Sequence, residues 1–429
     1  MPQHFKSAHF LPFWKRWLLL NPWNKGLVID GKNKIPLNKS YENLLLVAPT
    51  GYGKTSRYVL TNALRLDGTC SAVFTDPSGE IYATTHRYLK KKGYQVKCFD
   101  LREEYPSLQY NPFTRIKSSS HAAKMAHIII HAAYPTQGGD TFWVDSAKAF
   151  LGLLIEYLAQ QKEDPPTLLK LYQLLQQMSF NQKQLYKKFS QVLNQEQFER
   201  YKAFHAQDGK TIAGILSTCK TALHPLSDVF IRNITAKETL QFETLRTQPS
   251  VLFIIVPEQE LAYFSFLLSL IYSQLFRFCL SMPTGKNTYL PIRFFLDEFG
   301  NMNIPNFPTY LTVLRKRKVS ISIIIQELEQ LEFQYKNQAQ TIINGGCNNH
   351  IYYPALGLNT CQQLEKILGT KIVSKQQNGK IRTTQQPLMS NDAIRTMPIH
   401  RALFITGNQR PILLKTKAWF QQFMLQKRV

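Results

Sequence analysis

The run Ala48-Pro-Thr-Gly-Tyr-Gly-Lys-Thr55 constrains this chain more than any other stretch. It directly follows an apolar, strand-like segment, Asn43–Ala48, and opens a helical one, Ser56–Arg65. A strand that ends in a glycine loop and continues into a helix turns several backbone N–H groups toward one point. The new helix adds the positive end of its dipole there. That is how a chain cradles a phosphate. Gly51 and Gly53 allow the curl, with Pro49, Thr50 and Tyr52 completing the loop. Lys54 is placed to reach the β- and γ-phosphates of ATP, and Thr55 to coordinate Mg²⁺. The pattern G-x-x-x-x-G-K-[ST] begins here with Ala48 instead of glycine, a change of one methyl group. Taken alone, the same letters also describe a glycine turn before a helix.

A second segment narrows the choice. Ile292-Arg-Phe-Phe-Leu-Asp297-Glu298 is an apolar strand ending in two carboxylates. Adjacent acids at the end of a buried strand are costly unless a cation offsets them. In a nucleotide hydrolase Asp297 would hold Mg²⁺ through water and Glu298 would polarise the attacking water. Another strand-like run, Val319–Ile325, ends at Gln326, whose amide could hydrogen-bond the γ-phosphate or that water. Between the two lies Leu314-Arg315-Lys316-Arg317-Lys318. This basic run suits an arginine finger or a nucleic-acid contact, and equally a solvated face.

Strand-like segments recur at Ser71–Asp76, Gln95–Asp100, Val251–Val256, His350–Tyr353 and Ala402–Thr406, with helical stretches between most of them. Continuous apolar strands alternating with helices predict an α/β fold with a mostly parallel sheet covered on both faces. In such sheets the carboxyl ends of the strands carry the site. From Lys117 to Ile234 the alternation stops and Leu, Gln, Lys and Ala recur at helical spacing, which predicts an all-α insertion. The division expected is an arm over 1–40, a nucleotide-binding domain over 41–116 and 235–429, and the inserted helices over 117–234. Lys371–Pro387 is polar and Gln-rich and predicts a surface loop or hairpin.

Composition bounds the rest. With 44% hydrophobic and 19% charged residues, the chain can bury a sizeable core. Its net charge of +24 favours a polyanionic partner, nucleic acid or an anionic surface. The six cysteines form no C-x-x-C pair, which speaks against zinc and for reduced core thiols in a cytoplasmic protein. The uncharged run Leu261–Phe276 is short for a membrane span and predicts a buried helix. The Trp- and Lys-rich N-terminus predicts an arm packed on the core, with a place on a membrane surface as the alternative.

Several motifs then agree in order: Ala48–Thr55, Asp76-Pro-Ser-Gly-Glu80, Tyr110-Asn-Pro-Phe113, Phe142-Trp143, Leu296-Asp-Glu-Phe299, Ile304-Pro-Asn-Phe307, Arg315-Lys316 and Gln326 with Leu328-Glu-Gln-Leu331. Together they resemble the type IV secretion coupling proteins, the TraG-like conjugative DNA-transfer ATPases, from Asn43 to the C-terminus. The resemblance implies a RecA-like P-loop NTPase with an inserted all-α domain, assembled as a homo-hexamer with ATP at subunit interfaces. By motif, Lys54 and Thr55 bind nucleotide and Mg²⁺, Asp297 and Glu298 are the acidic pair, Arg315 is a finger acting in trans, and Gln326 is the sensor. The implied function is an ATP-driven DNA translocase that brings DNA and a relaxase, or a secreted protein substrate, to the channel. Two other readings stand beside it: an ATPase of this architecture that delivers proteins or energises assembly, and a nucleotide-gated DNA-binding adaptor without turnover. The chain departs from the family pattern in having no N-terminal span, which implies peripheral recruitment to the inner membrane by a channel component. The loop Gly300–Ile304 is also one residue shorter than the family's.

Overall fold

The computed structural model describes residues 7–134, 141–161, 165–284, 289–377 and 380–429. Expectations that touch Met1–Lys6 lie outside them. The described strands are β1 (Leu44–Val47), β2 (Ser71–Asp76), β3 (Gln95–Asp100), β4 (Ser250–Ile255), β5 (Ile292–Leu296), β6 (Val319–Ile325), β7 (Asn349–Tyr352), β8 (Thr370–Gln377), β9 (Lys380–Pro387), β10 (Arg401–Thr406) and β11 (Ile412–Lys415). Nine form one sheet in the order β11-β10-β7-β1-β6-β5-β2-β4-β3, and β8 and β9 pair with each other.

The sheet is parallel from β7 through β3. It turns antiparallel at β10 and β11. Each strand expected from the sequence is present. The short β11 was not anticipated, because Ile-Leu-Leu-Lys alone is too brief to read as a strand. It acquires its structure by pairing with β10, Leu403 opposite Leu413.

β1, β2, β4, β5 and β6 are buried along their whole length. Side chains alternate across a strand, so each strand feeds two cores. Leu44, Leu46, Phe74, Phe253, Phe295 and Ile324 enter one, and Leu45, Val47, Val73, Leu252, Phe294 and Ile323 the other. On the first face Phe74 stacks between Phe253 and Phe295, at 5.4 and 4.8 Å. Tyr58, from the helix that follows the glycine loop, leans on Phe295 and hydrogen-bonds Ser322 at 2.8 Å. Aromatic pairs of this kind contribute roughly 0.5–1.5 kcal/mol each beyond burial. They fix that helix over β5 and β6.

On the second face lies the helix Ser265–Leu280, buried from Phe266 to Phe276, as the uncharged run predicted. Between β3 and β4 the described residues form helices and no strand, among them Ser119–Ala133, Phe142–Ala159, Leu168–Gln177, Gln195–His205 and Gly209–Ala222. Their apolar faces join the same core as the second face of the sheet. All six cysteines are buried and free. No helix among the described residues is long and apolar enough to cross a membrane.

Candidate active site

The loop after β1 is shaped by two left-handed glycines, Gly51 at φ +84° and Gly53 at φ +87°. Side-chain-bearing residues avoid that region. The first turn beyond it, Lys54–Val59, is a wide π-type turn before the α-helical Leu60–Ala63. Ala48 N–H donates to Ile325 O at 3.0 Å, which ties the start of the loop to the end of β6.

Strand order brings the other groups in. β6 lies between β1 and β5. The three carboxyl ends therefore deliver, side by side, the glycine loop, Gln326 and the Asp297-Glu298 pair. Lys54 Nζ is ion-paired with Glu298 Oε1. Thr55 Oγ1 donates to Asp297 Oδ2 at 3.2 Å. Gln326 Nε2 donates to the second Glu298 oxygen, Oε2, at 3.1 Å. Gln326 is held in turn by its backbone N–H, which donates to Gln330 Oε1 at 2.9 Å. Glu298 itself has left-handed backbone, φ +53°. For a non-glycine residue that conformation is uncommon and is found where surrounding structure enforces it.

Burial dominates the electrostatics. Both acids are almost wholly enclosed. Burial pushes the Asp297 carboxyl up to about 6, while Lys54 and the Thr55 hydrogen bond pull the other way. Lys54 is lowered by burial, partly offset by Asp297 and by Glu258 on the turn after β4.

Asp76 has no assigned part in the nucleotide motif, and the structure sets it beside the acids. Thr75 pairs with Leu296 in register, so Asp76 and Asp297 leave the sheet next to each other. Both lie two residues past the stacked Phe74 and Phe295, on the face that carries the Lys54 helix. Asp76 Oδ2 accepts from Tyr82 N–H at 2.8 Å, and Oδ1 is buried without a partner. Burial pushes this carboxyl up to about 7, with a further push from Asp297. The signal available in the sequence was the second strand's terminal Asp.

Arg315 is not brought to these groups. It sits exposed in the turn Arg315–Arg317 ahead of β6, whereas Gln326 follows the other end. β6 has 7 residues and at about 3.3 Å per residue is roughly 23 Å long. Arg315 therefore cannot serve the site of its own chain.

The donor set suits a magnesium nucleotide. Mg²⁺ takes one or two hard oxygen ligands from protein and the remainder from phosphates and water. Thr55 and Asp297 are that kind of pair. Among the described residues no group of three or more His, Cys, Asp or Glu could hold a metal alone. The left-handed glycines keep the phosphate side of the loop free of Cβ atoms, and no atom lies within 4 Å of where a Cβ on Gly51 would stand.

This architecture is the α/β RecA-like fold of P-loop NTPases. A family model described as Type IV secretory system Conjugative DNA transfer matches residues 18–429, and the chain belongs to that family. It is 23% identical over 345 residues to protein VirD4 of Rhizobium radiobacter, covering 77% of this chain. The chain spans about half, 48%, of that relative's length. Among solved structures it resembles the plasmid coupling protein TrwB in complex with the GTP analogue GDPNP, with a TM-score of 0.75 and 15% identity over 96% of this chain and 94% of that one. It also resembles TrwB in complex with ADP and Mg²⁺, with a TM-score of 0.74 and 17% identity over the same shares. At these identities the likeness is one of fold.

Proposed function

We propose that this chain is an ATP-driven DNA-transfer motor, a coupling protein that brings DNA and its relaxase to a type IV secretion channel. The observation that carries the reading is the single contact network of Lys54, Thr55, Asp297, Glu298 and Gln326 at three adjacent strand ends. Its parts match the needs of ATP hydrolysis. The loop Pro49–Gly53 presents backbone N–H groups to the phosphates. Lys54 carries positive charge to them, and Thr55 with Asp297 holds Mg²⁺. Glu298 accepts a proton from the attacking water, and Gln326 orients Glu298 and links that event to the helix Leu328–Tyr335. Bound Mg²⁺–ATP supplies the scissile phosphoanhydride and the metal's charge. The existence of TrwB complexes with ADP and Mg²⁺ and with nucleotide analogues supports this assignment.

Arg315 acts in trans in this reading. Its distance along β6 from its own site supports a ring, a homo-hexamer, in which each subunit completes its neighbour's site. The +24 charge supports DNA, held through phosphates with little sequence preference. The helical block 117–234 is read as an insertion into the nucleotide-binding domain 41–116 and 235–429, after an arm over 1–40. A channel component recruits the protein to the inner membrane from the cytoplasm.

Steady-state ATP hydrolysis with and without single-stranded DNA tests the proposal. A motor hydrolyses ATP and is stimulated by DNA, with DNA affinity falling steeply as salt rises. Turnover indifferent to DNA would favour protein delivery, and tight DNA binding without turnover an adaptor. Either result removes the motor reading.

A further inference from the structure

The helix Phe13–Leu19 is built inside out. Phe13, Trp14, Trp17 and Leu18 recur at the spacing that shares one face of a helix. That face points to solvent, with the four residues 81, 64, 50 and 69% exposed. Arg16, the residue expected outside, turns inward. It pairs with Asp30 at 3.7 Å and donates to Leu413 O at 3.4 Å. Trp23, 74% exposed, packs edge-on against Trp17 at 5.7 Å. The chain thus displays three of its 5 tryptophans on one short arm.

This is not a loose end. Leu20 is buried, Leu11 N–H donates to Pro411 O at 2.9 Å, and Asn24 Nδ2 bridges Leu19 O and Lys34 O at 3.0 and 2.9 Å. The arm is pinned to the body with its aromatic face outward. Contiguous exposed apolar surface of this kind marks a docking site.

We infer that the arm Phe13–Trp23 docks the protein directly on an anionic lipid surface. Charge chooses this occupant. No Asp or Glu precedes Asp30, while Lys15 and Lys25 are exposed beside the aromatics. Lys15 Nζ lies 4.9 Å from the centre of the Trp14 ring. Tryptophan settles at the headgroup level of a bilayer, and flanking Lys interacts with anionic headgroups. Aromatics on one face with cations beside them and no acid are the composition of an interfacial helix. A second copy of the chain fits worse. A symmetric contact through this face would set Lys15 and Lys25 against the same lysines of the other copy. The carboxyl-terminal turn repeats the chemistry. Phe423 and Met424 are exposed, Lys427 lies over the Phe423 ring, and Lys417 N–H donates to Asp30 O, on the loop that holds Arg16.

Flotation of the full chain with vesicles tests this. Phosphatidylcholine vesicles are compared with vesicles that also contain phosphatidylglycerol, at low and high salt. The expected result is binding to the anionic vesicles, weakened by salt, with a blue shift of tryptophan fluorescence. Trp14→Ser with Trp17→Ser should lower partitioning at least about tenfold and leave the melting temperature and ATP hydrolysis unchanged. Lys15→Glu with Lys25→Glu should lower binding to anionic vesicles only, and it carries the test if the serine variant folds poorly. Three outcomes overturn the inference: no binding of the wild-type chain to anionic vesicles, equal binding by both variants, or loss of self-association in the serine variant with vesicle binding intact. The last would identify the face as a contact between copies.

Discussion

Gln326 donates a 3.1 Å hydrogen bond to one oxygen of Glu298, and Lys54 is ion-paired with the other. One carboxylate thus joins the ends of three strands. In this arrangement Lys54 is held by a carboxylate, and a phosphate arriving at the loop competes with Glu298 for it. On the proposed function, that exchange would free Glu298 toward water as the nucleotide is seated.

Lys54→Ala removes the positive charge from the loop and leaves Glu298 with Gln326 alone. We expect ATP hydrolysis to fall by at least roughly a hundredfold, as for other groups that stabilise developing charge. The secondary structure should be intact by circular dichroism, since Lys54 packs in neither core. Hydrolysis near the wild-type rate would remove this loop from the chemistry.

Glu298→Gln and Asp297→Ala should separate binding from turnover. Glutamine keeps the size of Glu298 and its contact with Gln326 but cannot accept a proton, so ATP should bind and not turn over. Loss of Asp297 should weaken binding only when Mg²⁺ is present, because its role runs through Thr55 and the metal. Titration of a fluorescent nucleotide with and without Mg²⁺ reads the difference. Equal losses of affinity in both variants contradict the division.

Arg315→Ala should bind ATP normally and hydrolyse it about a thousandfold more slowly or worse, the range known for trans fingers. Mixing it with Lys54→Ala subunits should restore part of the activity, because an intact loop can then meet an intact finger across an interface. A variant that loses DNA affinity but keeps its DNA-independent ATPase would return Arg315 to the basic surface run with Lys316, Arg317 and Lys318.

Asp76 should give the protein a pH-dependent stability. Its carboxyl ordinarily titrates near 3.8 and is pushed up to about 7 in the fold. Between those values the folded chain keeps a proton that the unfolded chain has lost. Its contribution is therefore complete below the lower value and is lost as pH rises through the upper one. Asp76→Asn cannot ionise. Without Mg²⁺ it should melt above wild type at about pH 8, with the gap closing toward about pH 5. Melting curves at both pH values read this, and a gap that does not change with pH would exclude Asp76 as its source.

The parts that depend on neighbours along the chain are legible in the order of its residues. Alternation and apolar runs gave the strands, and the loop Ala48–Thr55 and the Asp297-Glu298 pair stood out as candidate site residues, because turn geometry and strand ends are local properties. Tertiary structure decided which of these parts meet. Nothing in the letters of β6 says that it lies between β1 and β5, yet that placement brings Gln326 to Glu298, while the length of β6 keeps Arg315 at the opposite, amino end of the strands. Asp76 gained its place through the register of β2 with β5, and β11 exists only because β10 offers it an edge. The helix Phe13–Leu19 has an aromatic face in any setting, and packing of Leu20 and Arg16 against distant residues turned that face outward. Strand order and facing are set by contacts between residues far apart in sequence, whose free energy appears only when the whole sheet closes.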